Sequence, residues 1–171
     1  DFSSSIEAGD EMDNSINKIA DLLNIEKDEF IIGPSTTMNM FLLSRAIKHW
    51  LNKGDEIIVT NQDHEANIGA WRKLADEDII IKEWSLNKDS AELEIEELKS
   101  LINEKTKIIC VCHTSNIVAS INNLKEIVDL AHKHDIKVVG DGVAYMAHDL
   151  ADLKKIDLDF YAFSLYKTFG P

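Results

Sequence analysis

Short apolar runs alternate with helix-like segments along most of the chain, and this alternation constrains the fold more than any other feature of the sequence. The runs at 107–112 and 136–140 are almost continuously apolar, which is typical of strands that are buried on both faces. Such strands occur in parallel sheets whose connections place helices on both sides. The sequence therefore predicts an α/β fold, a three-layer α/β/α sandwich with a mostly parallel sheet.

The predicted elements are spread over nearly the whole chain, without an internal repeat or a low-complexity linker. We predict strands at 29–32, 56–60, 79–84, 107–112, 136–140 and 160–164. We predict helices at 10–24, 35–50, 64–75, 95–102 and 124–134. A chain of 171 residues is long enough for one hydrophobic core of ordinary size, so we expect one domain or part of one.

The charge balance argues against several classes of partner. The chain has 18 basic and 31 acidic residues, and its formal net charge is -13. A surface of that sign repels phosphate backbones and anionic lipids, so we expect neither nucleic acid nor membrane as a partner. No apolar stretch approaches the roughly 20 residues that span a bilayer, and the chain does not start with a signal-peptide pattern. We therefore expect a cytoplasmic protein.

Two cysteines, Cys110 and Cys112, lie in one predicted strand with a single residue between them. Their side chains would point to the same face and are too close along the chain for an ordinary disulfide. We interpret them as reduced core residues, with a metal or redox pair as the disfavoured alternative. The sequence has no CxxC or HExxH motif, and the histidines other than His64 have no metal-ligand spacing and are interpreted as structural or solvated, so we predict no metal site.

Polar residues follow the predicted strands, where parallel sheets form their ligand crevices. These residues are Gly33 to Thr37, Asp63-His64, Ser115-Asn116, Asp141 and Lys167. In the first group, Ser35, Thr36 and Thr37 open a helix, and the free N–H groups and dipole of a helix start suit a phosphate. Plain N-capping is the alternative. The loop lacks GxGxxG and GxxxxGK[ST], so it indicates neither a dinucleotide site nor a P-loop.

Three further residues each allow two interpretations. His64 could stack on an aromatic ligand or act as acid or base, or it could be a helix-start histidine bonded to Asp63. Asp141 could pair with a cation or cap the next turn. Lys167 could be a solvated loop lysine or an amine that forms a Schiff base. A lysine, a carboxylate, a stacking group and a helix start together are what pyridoxal phosphate requires.

Several stretches of the chain also carry a family resemblance. They are GDEIIVT at 54–60, DHEAN at 63–67, Trp71, TSN at 114–116, DGVAY at 141–145, DFYAFS at 159–164, Lys167 and Gly170-Pro171. With these residues the chain resembles the class V aminotransferase and cysteine desulfurase group of fold-type I pyridoxal-phosphate enzymes. The resemblance implies a pyridoxal 5'-phosphate cofactor, an amino acid substrate, and a homodimer when the protein is full length.

The resemblance also implies roles at the cofactor ring. Lys167 would hold the internal aldimine, Asp141 would pair with the pyridinium nitrogen, and His64 would stack on the ring. Asn116 matches the family asparagine near the ring oxygen and the substrate. The resemblance therefore implies that Lys167, His64 and Asp141 are the catalytic residues.

Further roles concern the cofactor phosphate. By resemblance, Ser35 or Thr36 would contact it together with Ser164, and Thr37 belongs to the same helix start. The residue before the lysine is usually histidine in the family and is Tyr166 here, which can still donate to a phosphate.

Other departures from the family pattern bear on the reaction. Ala144 stands where glutamine is usual, so a hydrogen bond to the ring hydroxyl would need another donor. Pro34 replaces the first phosphate hydroxyl of its loop. Neither Cys110 nor Cys112 matches the family's sulfur-accepting cysteine. These changes fit a desulfurase-like branch better than a standard desulfurase.

The predicted function is that of a transferase or lyase acting on an amino acid through a lysine aldimine. We expect residues 1–171 to form a pyridoxal-phosphate-binding large domain that stops after the lysine, without the small C-terminal domain. Such a fragment should itself be inactive. The alternative is a degenerate domain that keeps the fold for an interaction role. A nucleotide-binding domain is disfavoured because a glycine fingerprint is missing.

Overall fold

A computed structural model describes residues 2–168 of the chain. The α-helices are α1 (Ser3–Leu23), α2 (Thr36–Ile47), α3 (Glu65–Arg72), α4 (Ile95–Leu101), α5 (Leu124–His132) and α6 (Leu153–Ile156). The strands are β1 (Glu56–Thr60), β2 (Ile80–Trp84), β3 (Thr106–Cys112), β4 (Lys137–Asp141) and β5 (Phe160–Ala162). Short 3-10 turns occur at Lys27–Glu29, Lys48–Trp50, Lys73–Glu77, Tyr145–Ala147 and Leu165–Lys167. Within the described residues, no helix is both long enough and apolar enough to cross a membrane.

The five strands form one parallel sheet in the order β2-β1-β3-β4-β5. From β1 the chain first adds β2 on one side, then returns to the other side and adds β3, β4 and β5 in turn. The direction of winding therefore reverses between β1 and β3. In open α/β sheets, ligands bind at the carboxyl ends of the strands beside such a reversal.

Helices cover both faces of the sheet, which confirms the predicted three-layer α/β/α architecture. On one face, Ile57 and Val59 of β1 pack with α2 and α3, where Trp71 is fully buried. On the other face, Ile58 packs with α4 and α5. Alternate residues of one strand therefore belong to the hydrophobic cores on opposite faces of the sheet. This is why the strands are continuously apolar in the sequence.

Side-chain caps set the helix starts that border the site. Ser35 Oγ accepts a hydrogen bond from Met38 N at 3.1 Å at the start of α2. At the start of α3, His64 Nδ1 accepts from Ala66 N at 3.0 Å. Each cap satisfies a backbone donor that the helix itself leaves without a partner. Both helices begin near the carboxyl edge of the sheet, because α3 follows β1 and Thr36 of α2 contacts Phe163 and Ser164 after β5.

The predicted strand at 29–32 is wrong. Its first residue belongs to the 3-10 turn Lys27–Glu29, in which the Glu26 and Glu29 side chains form a capping box. Residues 30–32 pair with no described strand, and Ile31 is 82% exposed. The apolar pattern resembled a strand, but no neighbouring strand is present to form its ladder. The loop that begins at Gly33 consequently follows a coil rather than a strand.

Several predicted boundaries also shift. α1 begins at Ser3 instead of residue 10, and of its 21 residues only Ala20 and Leu23 are buried. The predicted helix at 64–75 is α3 followed by a 3-10 turn. β5 ends at Ala162 rather than at residue 164, because the chain turns into the 3-10 segment Leu165–Lys167.

Candidate active site

Asp141 is the last residue of β4 and lies at the carboxyl edge of the sheet, between β3 and β5. Its side chain is 4% exposed, and Oδ1 accepts a hydrogen bond from Val143 N at 2.9 Å. Among residues 2–168, no other group donates to this carboxylate. Burial raises the pKa of Asp141, and the Val143 N–H and the positive charge of Lys167 oppose that rise. A buried carboxylate with a free oxygen is suited to a cationic N–H partner.

Lys167 ends the 3-10 turn that follows β5, and its backbone N donates to Ser164 O at 3.1 Å. The side chain is exposed, and Nζ lies 5.9 Å from the centre of the Tyr166 ring. Lys167 and Asp141 both follow strands at the carboxyl edge of the sheet, and the positive charge of Lys167 lowers the pKa of Asp141. Tyr166 is itself 69% exposed. The role of Lys167 as a Schiff-base amine stays a prediction.

The start of α2 lies against the end of β5. Thr36 is buried, and its Oγ1 lies 2.7 Å from Ser164 Oγ, although the two residues are 128 positions apart. Thr36 Oγ1 also donates to Phe163 O at 3.2 Å. Within the described part of the chain, the backbone N–H groups of Thr36 and the exposed Thr37 find no acceptor. Two hydroxyls and two free N–H groups thus converge on a helix start, which suits an anion.

His64 is exposed and carries the N-cap of α3. Since Nδ1 accepts from Ala66 N, the proton of the neutral ring resides on Nε2. The alternative of a helix-start histidine bonded to Asp63 is correct in the helix start, but its bond to Asp63 is not found: among the described residues, the Asp63 carboxylate accepts from Thr60, Asn67 and Cys112. The cap fixes the His64 backbone, and the structure leaves the ring available at the same edge as Asp141.

Asn116 lies at the exposed tip of the loop that follows β3. The loop is tied down by Ser115, whose buried Oγ donates to Gln62 O at 2.8 Å. Asn122 closes it by donating its Nδ2 to Gln62 Oε1 at 2.9 Å and to Cys112 O at 2.8 Å. The loop is therefore held at both ends, while the Asn116 side chain stays accessible.

Sequence reasoning missed a group of aromatic residues beside Asp141. His113 stacks on Tyr145 with ring centres 3.5 Å apart, and its Nδ1 lies 2.9 Å from the Tyr161 hydroxyl. Burial lowers the pKa of His113 to about 4, so the ring is neutral at physiological pH. The sequence predicts a structural or solvated histidine here but not its partners, because they depend on how β3, β4 and β5 align. No local pattern could have identified them.

A cavity with a volume of about 1040 Å³ lies between the start of α2 and β5. Ser35, Thr36, Ser164 and Tyr166 line one end of it. His64, Asp141 and Lys167 do not line it. The predicted phosphate residues and the predicted ring residues therefore occupy neighbouring but separate positions along the sheet edge. The cavity therefore includes residues that were predicted to contact a phosphate and none of the three that were predicted to be catalytic.

The fold and the position of these polar residues define an open α/β protein with a candidate ligand site at the carboxyl edge of its sheet. The chain belongs to the class-V aminotransferase family, whose model matches residues 2–171. That match supports the resemblance described above. The Gly170-Pro171 pair, which contributed to it, lies outside the described residues.

Curated relatives and a solved structure are similar to this chain over most of its length. The aminotransferase-like protein FGM3 of Gibberella zeae is 41% identical over 162 residues, which are 93% of this chain and 40% of that protein. A cysteine desulfurase of Serratia proteamaculans is 34% identical over 170 residues, 98% of this chain and 42% of the relative. The cysteine desulfurase CsdA of Escherichia coli superposes with a TM-score of 0.91 at 27% identity, covering 99% of this chain and 43% of its own. The chain thus spans about 40% of the relatives' length.

Proposed function

We propose that this chain forms the cofactor-binding part of a pyridoxal-phosphate-dependent enzyme of the cysteine desulfurase-like group. The observation that carries the proposal is Asp141. It is buried at the carboxyl edge, has an oxygen without a donor among residues 2–168, and has a pKa that the positive charge of Lys167 lowers against the effect of burial. A protonated pyridine nitrogen is the kind of partner that such a carboxylate accepts.

The remaining side chains fit the other parts of the cofactor. The Thr36 and Ser164 hydroxyls, 2.7 Å apart, and the free N–H groups at the start of α2 would hold the phosphate. Lys167 would bind the aldehyde through its amine, and the exposed His64 ring would orient the pyridine by stacking. When bound, pyridoxal phosphate supplies an electron sink for negative charge at the substrate's reacting carbon.

The proposal extends to the substrate, the assembly and the compartment. We propose an amino acid substrate, with Asn116 at the loop tip beside it, and a homodimer of the complete protein. Desulfurase-like relatives, such as the E. coli CsdA cysteine desulfurase, support the amino acid class. The buried free thiols of Cys110 and Cys112 fit a reducing compartment such as the cytoplasm.

The test is the absorption spectrum of the complete protein purified with pyridoxal phosphate. We expect a band near the visible region that is lost in Lys167→Ala, because the variant lacks the amine that would bind the aldehyde. Lys133→Ala is the matched control, since Lys133 is another exposed lysine and lies at the end of α5. We expect the control to keep the band.

A folded wild-type protein that remains colourless with excess cofactor would refute the proposal. It would favour the alternative of a degenerate domain without turnover. Ala144 gives that alternative its specific support, because a methyl side chain cannot donate to the ring hydroxyl.

A further inference from the structure

Asp63 lies in the crevice between the carboxyl ends of β1 and β3, where the winding of the sheet reverses. It is 5% exposed. Its carboxylate accepts hydrogen bonds from three elements: from the Thr60 hydroxyl at the end of β1, from Cys112 N of β3 at 3.0 Å, and from Asn67 Nδ2 of α3 at 2.8 Å. One carboxylate therefore joins two strands and the helix that His64 begins.

A buried side chain can join neighbouring elements through hydrogen bonds without carrying a charge. The neighbouring Gln62 is fully buried and connects its surroundings with a neutral amide, donating to Ala91 O at 2.8 Å and to Ser120 Oγ at 2.6 Å. Asp63, by contrast, forms no ion pair with a basic group among the described residues. Burying an unpaired carboxylate costs free energy, and such groups concentrate at functional sites.

Asp63 is also close to a second buried carboxylate. Cys112, whose N–H it accepts, is the register partner of Asp141 in β4. Burial raises the pKa of Asp63 to about 6 against the hydrogen bonds from Thr60 and Asn67, and the charge of Asp141 adds to the rise. Two buried carboxylates, Asp63 and Asp141, therefore lie at the carboxyl edge, and the negative charge of Asp141 disfavours ionisation of Asp63.

Other ionisable groups also lie around this pair. On β3, the Cys110 and Cys112 thiols have pKa values raised by burial and by the charge of Asp63, so both are neutral. His64 follows Asp63 directly, and the positive charge of Lys167 acts on Asp141. A cation bound at the edge would relieve the repulsion between the carboxylates.

We propose that Asp63 is a positioning residue of the site, which fixes the turn carrying His64 and adds a second negative charge that favours a cationic ring nitrogen beside Asp141. This inference rests on the proposed function. It assigns to Asp63 an electrostatic role toward the cofactor that a neutral residue could not fill, in addition to its role in the fold.

The test uses the complete protein and pyridoxal phosphate. Asp63→Asn keeps the size of the side chain and removes its charge. We expect the dissociation constant for pyridoxal phosphate to rise about tenfold, and the pH midpoint of the bound cofactor's absorption to fall by about one unit, because a nearby cation loses a stabilising charge. Glu56→Gln is the matched control, because Glu56 is a buried carboxylate at the opposite end of β1. In this variant the dissociation constant and the pH midpoint should both stay unchanged.

A second variant decides the question if Asp63→Asn does not fold. Thr60→Val keeps the carboxylate and removes one of its donors, which disfavours its ionised form, so the midpoint should fall by a smaller amount. A normal midpoint in every variant that folds, with changes in thermal stability alone, would overturn the inference. Wild-type protein that binds no cofactor would refute the proposed function itself, and that result is seen before any variant is compared.

Discussion

Gly142 shows how a single residue shapes the edge of the sheet on which Asp141 lies. A methyl group at this position would lie 2.0 Å from both Cζ and the hydroxyl oxygen of Tyr161. The Tyr161 ring therefore occupies the space that any larger residue would need. Its hydroxyl is in turn bonded to His113 Nδ1 at 2.9 Å. The absence of a side chain at 142 is thus a packing requirement.

Gly142→Ala should displace Tyr161, break its bond to His113, and disturb the turn from which Val143 donates to Asp141. We expect the free energy of unfolding to fall by about 1–3 kcal/mol, the usual cost of overpacking. Urea unfolding of the complete protein measures this. Gly9→Ala in α1 is the control, because nothing lies within 4 Å of the added methyl; it should be neutral or stabilising by about 0.5–1 kcal/mol. Equal stability of the two variants would contradict the packing argument.

At the scale of elements, the start of α2 combines two tasks. Ser35 Oγ caps the helix by accepting from Met38 N, while Thr36 binds Ser164 across the edge of the sheet. Capping and phosphate binding were alternatives at the sequence level. In the structure the cap is formed, and the free N–H groups of Thr36 and Thr37 still point to an anion site. The two tasks can be separated by changing the charge of the cap.

Ser35→Asp should keep the cap, because aspartate is as good an N-cap as serine and its charge suits the helix dipole. We therefore expect unchanged or slightly higher stability. The same charge would repel a phosphate, so the dissociation constant for pyridoxal phosphate should rise by at least about tenfold. Ser35→Ala is the complementary variant and should lose about 1 kcal/mol of stability. If Ser35→Asp binds the cofactor normally, the start of α2 is not the phosphate site.

At the scale of the whole molecule, the sequence predicted five of the strands because residues such as Ile57 and Ile58 serve cores on opposite faces of the sheet. It failed at 29–32, where an apolar run lies exposed in a coil, since a local pattern cannot tell whether a neighbouring strand exists. For the site, residues that follow strands could be selected from the sequence. The partners of Asp63 and His113 could not, because they depend on the register between strands.

The two ends of the sheet also differ in how their carboxylates titrate. At the amino end, burial raises the pKa of Glu56, but hydrogen bonds from Lys82 and Asn103 outweigh it and hold the value below the ordinary one. Asp159 behaves in the same way through Lys137, Val138 N and His132. At the carboxyl end, burial raises the pKa of both Asp63 and Asp141. The two carboxylates whose ionised forms the fold stabilises, Glu56 and Asp159, thus lie at the end of the sheet opposite the candidate site.

This asymmetry predicts the pH dependence of stability in the cofactor-free complete protein. The pKa of Asp63 rises from 3.8 to about 6 on folding, so the folded state binds more protons in that window and stability falls as the pH rises through it. Glu56 acts in the opposite sense, because its lowered pKa makes stability fall as the pH drops below about 4.5. Urea unfolding between pH 3.5 and 7 at constant ionic strength, a range that covers both ordinary pKa values, measures both effects. Between pH 4 and 7, the free energy of unfolding of Asp63→Asn should decline by about 1–3 kcal/mol less than that of the wild type. Glu56→Gln should change only the loss of stability below about pH 4.5. A decline that persists in Asp63→Asn would mean that other charges, and not the carboxylate at the crevice, control it.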